Sequence, residues 1–292
     1  MTIPIMRHQP SVGFASGPER PVADSVGHGS IALFVHGLGE GRYHWRQILD
    51  EPRMQGRRIS YDLVGHGDAP HLKDGRYSLA KYTEDLLALL DLFPRVPIVL
   101  VGHSMGGEIA LRAAACLRHD VRAIILVDCG LRREPMIARR LTKEIETTEE
   151  GFASRDDFIR WLIAYRPLVT KEVRQMIAQE ALQSDPTGGF KLKRDSNVFH
   201  ARLNEKDSEE GGWVALSALQ CPILILRGEA SSFLSDATAR AMAQHAQSAM
   251  VKTVRRTGHG IALENPAGFV DAIVPFLNAN LWTDVNMLRV RE

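Results

Sequence analysis

An α/β fold is predicted for this 292-residue chain: a mostly parallel central sheet flanked by helices, with an inserted helical segment. Three observations carry the prediction. Short apolar runs recur at Ile31–Val35, Arg58–Tyr61, Ile98–Val101, Ala123–Val127, Ile223–Leu226 and Met250–Val254. Helix-patterned stretches separate most of them, and strands alternating with helices form a parallel sheet covered on both faces. From about Leu131 to Gly212 the alternation stops, leaving a long helical pattern with no convincing strand.

Residues 1–30 are rich in Gly, Pro and Ser and are expected to hold one or two edge strands without clear bounds. Between the second and third apolar runs, Leu79, Tyr82, Leu86, Leu89, Leu90 and Phe93 keep helical spacing, with Ser78 as N-cap. Glu108 to Ala115 is helix-forming and directly follows the third run. Within the long interval, Phe158, Trp161, Leu162 and Tyr165 share a helical face, and Gly211-Gly212 marks an exit hinge. The chain therefore divides into a first core part (1–130), a helical lid (131–212) and a second core part (213–292).

Composition narrows the function classes. A formal net charge of +1 gives no reason to expect nucleic acid or an anionic membrane as partner, so a small-molecule substrate is expected. Arg132-Arg133 and Arg139-Arg140 are followed by Glu144, Glu146, Glu149 and Glu150, which reads as a solvated helical face. Cys116, Cys129 and Cys221 sit among apolar residues and read as buried, reduced thiols without zinc-site spacing. The first eight residues lack the apolar core of a signal peptide, and no uncharged run is long enough to span a bilayer; a cytoplasmic location is expected. No phosphate-binding glycine loop or metal-ligand cluster stands out, so no cofactor and no metal are expected. The tail from Leu281, with Trp282 and Met287, is open between packing on the body and packing on a second subunit, and the chain between monomer and homodimer.

The most informative stretch is Pro97-Ile-Val-Leu-Val-Gly102-His103-Ser104-Met105-Gly106-Gly107. A short apolar strand, a Gly-x-Ser-x-Gly turn and a helix start follow one another, which is the context a nucleophile elbow requires. Ser104 is thereby presented at the carboxyl end of the sheet, where the chemistry of such folds gathers. A serine hydroxyl needs a base. His259, in Thr257-Gly258-His259-Gly260 after the last strand candidate, is the histidine in the right chain order. An oxyanion requires two preorganised N–H donors. Met105 supplies one, and Leu38, in the loop Val35-His36-Gly37-Leu38-Gly39, supplies the other. His36 is expected to hold that loop by hydrogen bonding.

With these residues in place, the chain resembles the α/β-hydrolase fold family, in its lid-bearing esterase, lactonase and carbon–carbon hydrolase group. The resemblance rests on the elbow, on His36-Gly37-x-Gly39 with Trp45 downstream, and on Tyr61-Asp62-Leu63-Val64-Gly65-His66-Gly67. Tyr77-Ser78 and Pro222-Ile-Leu-Ile-Leu-Arg-Gly228 complete it, in family order. The family usually carries its triad acid as Gly-x-x-Asp after the penultimate strand; here Gly228-x-x-Ser231 stands in that place. Asp128, ending Ile124-Ile-Leu-Val127-Asp128, is the natural replacement, with Glu229 or Asp236 as substitutes and a capping role as its simpler alternative. Some members with the acid moved to that earlier strand are amide-succinate hydrolases, and others are cofactor-free ring-cleaving dioxygenases.

The resemblance implies a serine hydrolase acting on a small to medium ester, lactone, thioester or amide through an acyl-enzyme, or its carbon–carbon-cleaving variant. Trp161, Tyr165 and Arg166 are expected to line the lid side of the pocket, with Arg166 available to a substrate carboxylate. Two alternatives stay open: a cofactor-free oxygenase using the His259/Asp128 dyad, and a ligand receptor with residual hydrolase activity.

Overall fold

All six apolar runs pair as parallel strands of one sheet in the computed structural model of the chain, which describes residues 12–14, 17–20, 22–24, 29–116, 119–132, 135–205 and 208–282. The first part runs β1 (Val12–Phe14), β2 (Gly17–Arg20), β3 (Val22–Asp24), β4 (Ile31–Val35), α1 (Arg46–Leu49), β5 (Arg57–Tyr61), α2 (Leu79–Leu90), β6 (Ile98–His103), α3 (Met105–Ala115) and β7 (Val121–Val127). The interval that follows holds α4 (Pro135–Thr148), α5 (Arg155–Tyr165), α6 (Lys171–Glu180), β8 (Leu182–Ser184), β9 (Phe190–Leu192), α7 (Asn197–Asn204) and α8 (Ser208–Ala218). The chain then returns to the sheet with β10 (Ile223–Gly228), α9 (Asp236–His245), β11 (Ala249–Val254), α10 (Ile261–Glu264) and α11 (Pro266–Asn280).

The central sheet has the order β11-β10-β7-β6-β4-β5-β3, antiparallel only where β3 joins β5. β6 lies in the middle and is buried along its whole length. Alternate side chains of each strand feed opposite layers. Leu33, Val35 and Leu100 pack under α2, α3, α8 and α9, while Ala32, Phe34, Val99 and Val101 pack under α1, α10 and α11. A third apolar cluster belongs to the inserted helices: Phe158, Leu162, Val173 and Ile177 pack together and meet the body at Leu263.

Ser78 caps α2 as expected, its side chain accepting from the Lys81 N–H at 3.1 Å. The helix stops at Leu90 rather than Phe93: the N–H of Phe93 turns back to the Leu90 carbonyl, ahead of Pro94. Other expectations are corrected. The interval 131–212 does contain strands, the hairpin of β8 and β9, whose three residues each are too few to show alternation. Gly211 and Gly212 lie inside α8, not at a hinge; a Cβ at Gly211 would meet the Arg112 guanidinium of α3 at 2.5 Å. Cys116 is exposed at the C-cap of α3, whereas Cys129 is buried and Cys221 partly so.

Leu281 and Trp282 pack into the layer beneath α11, so the start of the tail lies on the body. Met287 and the first eight residues lie outside the described residues. Among the described residues, no helix is long and apolar enough to cross a membrane.

Candidate active site

The sheet places Ser104 and Asp128 side by side. The β6–β7 ladder pairs Gly102 with Leu126 and His103 with Val127; one step further, the Ser104 N–H donates to the Val127 carbonyl at 2.9 Å. Asp128 continues β7 in the same way, its N–H donating to the Leu226 carbonyl of β10 at 2.8 Å. Both residues take positive φ, +52° at Ser104 and +46° at Asp128, a conformation that L side chains adopt rarely and that clusters at functional sites. The bend at Ser104 is possible because Gly106 has no side chain: a Cβ there would stand 2.4 Å from the Val35 carbonyl oxygen. Ser104 is the N-cap of α3, and Met105 opens the helix, so its N–H has no intrahelical acceptor.

His259 follows β11 on a loop that three groups hold. Its Nδ1 meets Asp128 Oδ2 at 2.8 Å, which fixes the tautomer with the proton on Nδ1 and leaves Nε2 as the acceptor. The carbonyl of His259 accepts from His103 Nε2 at 2.9 Å. Glu264, at the end of α10, accepts the N–H groups of Gly258 and Gly260 on either side. Gly228 lets β10 approach this loop, since a Cβ there would collide with the Gly258 carbonyl at 1.9 Å. Phe233 stacks on the imidazole with ring centroids 3.7 Å apart and planes 14° apart. Burial pushes the His259 pKa down to about 4; His103 and Arg166 act in the same direction, and Asp128 opposes them without reversing the shift.

Asp128 is 1% exposed, and its carboxylate also accepts from the Gly228 N–H at 2.9 Å and from the Ser231 hydroxyl at 2.5 Å. Glu229 and Asp236 are engaged elsewhere: Glu229 accepts the Arg256 N–H, and Asp236 pairs with Arg240 at the start of α9. Asp128 is therefore the carboxylate on His259.

The loop 36–40 is pinned on both sides. His36 Nδ1 donates to the Gly37 carbonyl at 2.8 Å while its Nε2 accepts the Leu63 N–H at 3.0 Å, the structural role expected of it. Burial keeps this imidazole neutral by lowering its pKa. Because the Gly37 carbonyl and the Leu38 N–H share one planar peptide, holding the carbonyl aims the N–H the opposite way. Gly37 donates its own N–H to Glu40 Oε2 at 3.1 Å.

Glu40, His44 and His103 each place a ligating atom within 4.8 Å of the others, all buried. The two imidazoles are stacked, centroids 4.3 Å apart and planes 20° apart. Lone pairs in nearly parallel planes do not converge on one ion at about 2.0–2.1 Å. The arrangement suits a hydrogen-bonded hub around the carboxylate.

Ser104, His259, Asp128, Leu38 and Met105 all line one cavity of about 470 Å³. Tyr165 and Arg166 reach it too, but Trp161 does not: it stacks between Phe158 and Tyr165 and bonds Thr147, beside a separate small void. Arg166 is committed to Glu40, its Nη2 donating to Oε1 at 2.8 Å. The face of α4 read as solvated is solvated only in part, since Arg140 and Glu144 turn inward and line the cavity. Arg140 donates to Ser232 Oγ and to the Tyr165 carbonyl, and its guanidinium lies over Phe233 and Tyr165.

The sequence profile of the Alpha/beta hydrolase family matches residues 32–272. The chain belongs to that family. This hydrolase is 27% identical over 252 residues to esterase Rv0045c of Mycobacterium tuberculosis, covering 82% of this chain and 80% of the relative. It is 24% identical over 268 residues to 2-hydroxy-6-oxo-2,4-heptadienoate hydrolase of Pseudomonas putida, covering 91% and 95%. Among solved structures, E-2-(acetamidomethylene)succinate hydrolase superposes with a TM-score of 0.80 at 22% identity, over 89% of this chain and 95% of that one.

Four residues of this hydrolase's site escaped the sequence reading. Glu40 had a signal, being an acid directly after a glycine loop; so did Ser231, in the vacated acid position, and Glu264, close behind His259. Arg140 had none, because its neighbours Arg139 and Glu146 are exposed.

Proposed function

We propose that this hydrolase cleaves a small to medium ester, thioester, lactone or amide through a covalent acyl-enzyme on Ser104. The observation that carries the proposal is the Asp128–His259 hydrogen bond at 2.8 Å, opening into the cavity that Ser104 lines. His259 Nε2 takes the Ser104 proton as Oγ attacks the substrate carbonyl. The Leu38 and Met105 N–H groups receive the developing oxyanion. His259 then protonates the leaving group, and water, activated by the same imidazole, releases the acyl group and restores Ser104. Asp128 stabilises the imidazolium without taking its proton.

Substrate size and polarity follow from the walls. Leu131, Ile137, Leu141 and Leu168 make an apolar surround, supplied mostly by the interval 131–212, which acts as the lid in this proposal. Arg140, like Arg132, is a cation on that surround with no carboxylate bonded to it among the described residues, and Arg140 is the one that bonds and stacks on the wall beside Phe233, so the preferred substrate carries a carboxylate.

Ser104→Ala tests the reaction class. With p-nitrophenyl esters as probes, turnover should fall to background and fluorophosphonate labelling should vanish. Substantial residual turnover of the physiological substrate in that variant would favour the oxygenase alternative. A wild-type protein that neither takes the label nor hydrolyses any aryl ester would instead leave a ligand receptor as the better reading.

A further inference from the structure

Glu40 joins two parts of the molecule that are far apart in sequence. It closes the loop after β4, is 5% exposed, and its backbone N–H turns back to the Gly37 carbonyl at 3.3 Å. One carboxylate oxygen, Oε2, accepts the Gly37 N–H at 3.1 Å and meets His103 Nδ1 at 2.8 Å, with His44 Nδ1 2.9 Å away. The other oxygen, Oε1, accepts Arg166 Nη2 at 2.8 Å. Arg166 is the C-cap of α5, and its own backbone is held by Leu162 and Val169.

We infer that Glu40 and Arg166 form a latch through which the inserted helices set the geometry of the oxyanion loop, making Arg166 a positioning residue for turnover. The inference rests on the proposed role of the Leu38 N–H. Gly37 is fixed at its carbonyl by His36 and at its N–H by Glu40. A carboxylate this deeply buried stays in place only while a cation compensates it. Burial opposes its charge, yet His103, His44 and Arg166 hold it well below the usual carboxylate range. Withdrawing the guanidinium leaves the charge undercompensated, and protonation or rotation of Glu40 then releases the Gly37 N–H. Once that anchor is gone, and with it the placing of Glu40 whose backbone N–H also holds the Gly37 carbonyl, only His36 keeps the peptide carrying the Leu38 N–H from turning away from the developing oxyanion. Seating of α5 against the body is thus converted into a formed oxyanion hole.

The test compares wild type, Arg166→Met, Arg166→Lys and the pair Glu40→Gln/Arg166→Met on p-nitrophenyl acetate and butyrate. Rates are normalised to sites titrated with a fluorophosphonate, and each variant is melted. The expected result is a kcat loss of roughly 10- to 100-fold in Arg166→Met with KM changed less than threefold, somewhat less than removal of an oxyanion donor. Arg166→Lys should recover part of the loss. Glu40→Gln/Arg166→Met should be faster than Arg166→Met alone, because the stranded charge is removed with its partner. An unchanged kcat per titrated site overturns the latch even if the melting temperature falls, since that pattern belongs to a purely structural contact. A loss confined to KM overturns it too. Failure of the wild type to label or turn over brings down the hydrolase reading itself, before any variant is compared.

Discussion

Ser231 donates a hydrogen bond of 2.5 Å to Asp128, from the chain position where the resembling pattern carries its acid. The hydroxyl stands at that chain position and bonds the Asp128 carboxylate that meets His259. Asp128→Asn should lower kcat by roughly 10⁴-fold, because an amide cannot hold His259 in the tautomer that leaves Nε2 as acceptor. Ser231→Ala should cost roughly 10- to 100-fold, the strength of one hydrogen bond to a charged acceptor. A sharper check is the swap Asp128→Ser with Ser231→Asp, which should regain turnover relative to Asp128→Ser alone. Ester hydrolysis and circular dichroism melts on the same preparations decide between these outcomes and misfolding.

The pH profile should be shifted to the acid side. With the His259 pKa near 4, the imidazole is unprotonated and able to act as base down to about pH 5. The acid limb of kcat/KM should therefore fall near pH 4 rather than near the roughly 6.5 of an ordinary histidine. Stability moves in the related direction. His44, whose pKa burial also lowers to about 4, stays neutral in the fold, as does His259, whereas their unfolded counterparts take up protons from about pH 6.5 downward. The unfolded chain binds more protons across that window, so stability should decline as pH drops from 6.5 to 4. A melting temperature that is flat over this range would contradict the assignment.

Arg140→Met should separate charged from neutral substrates. For an aryl ester whose acyl part ends in a carboxylate, KM should rise roughly 10- to 100-fold, the loss of a charge-assisted hydrogen bond. For the matching neutral ester it should stay within about threefold. Equal effects on the two esters would remove Arg140 from substrate recognition.

Glu264→Ala should loosen the His259 loop from behind. The carboxylate holds the N–H groups of Gly258 and Gly260 without lining up on the imidazole itself. Misplacing the base by a fraction of an ångström should lower kcat by up to about 100-fold. Glu264→Gln, which keeps an acceptor, should retain much more activity. Wild-type rates in both variants would show that Asp128, His103 and Phe233 suffice to fix the loop.

How much of this was legible beforehand follows from the range of each signal. Four of the six parallel strands, β4, β6, β7 and β10, carry continuous apolar runs, and such runs announce themselves wherever a strand is buried on both faces, as β6 is. That Ser104, Asp128 and His259 gather at one end of the sheet was readable because each follows a strand in a motif a few residues long. The hairpin of β8 and β9 was not, since three residues carry no period. Nor was the pairing of Glu40 with Arg166, separated by 126 positions and brought together only when α5 seats on the body. Arg140 was hidden for another reason: a charged residue on a charged helix face looks solvated until the fold turns it inward.

One placement carries a consequence for how this protein can change over generations. Ser104 and Asp128 both stand on strand tips of a single ladder, so their separation belongs to the sheet. With Ser231 only supporting Asp128, the stretch from Glu229 to Ser235 supplies no reacting group in the proposed mechanism. It nevertheless supplies Phe233 and Ser232 to the cavity wall. Under the proposed mechanism, substrate range can therefore shift by exchange at Ser232 while Ser231 and Phe233 stay in support of Asp128 and His259.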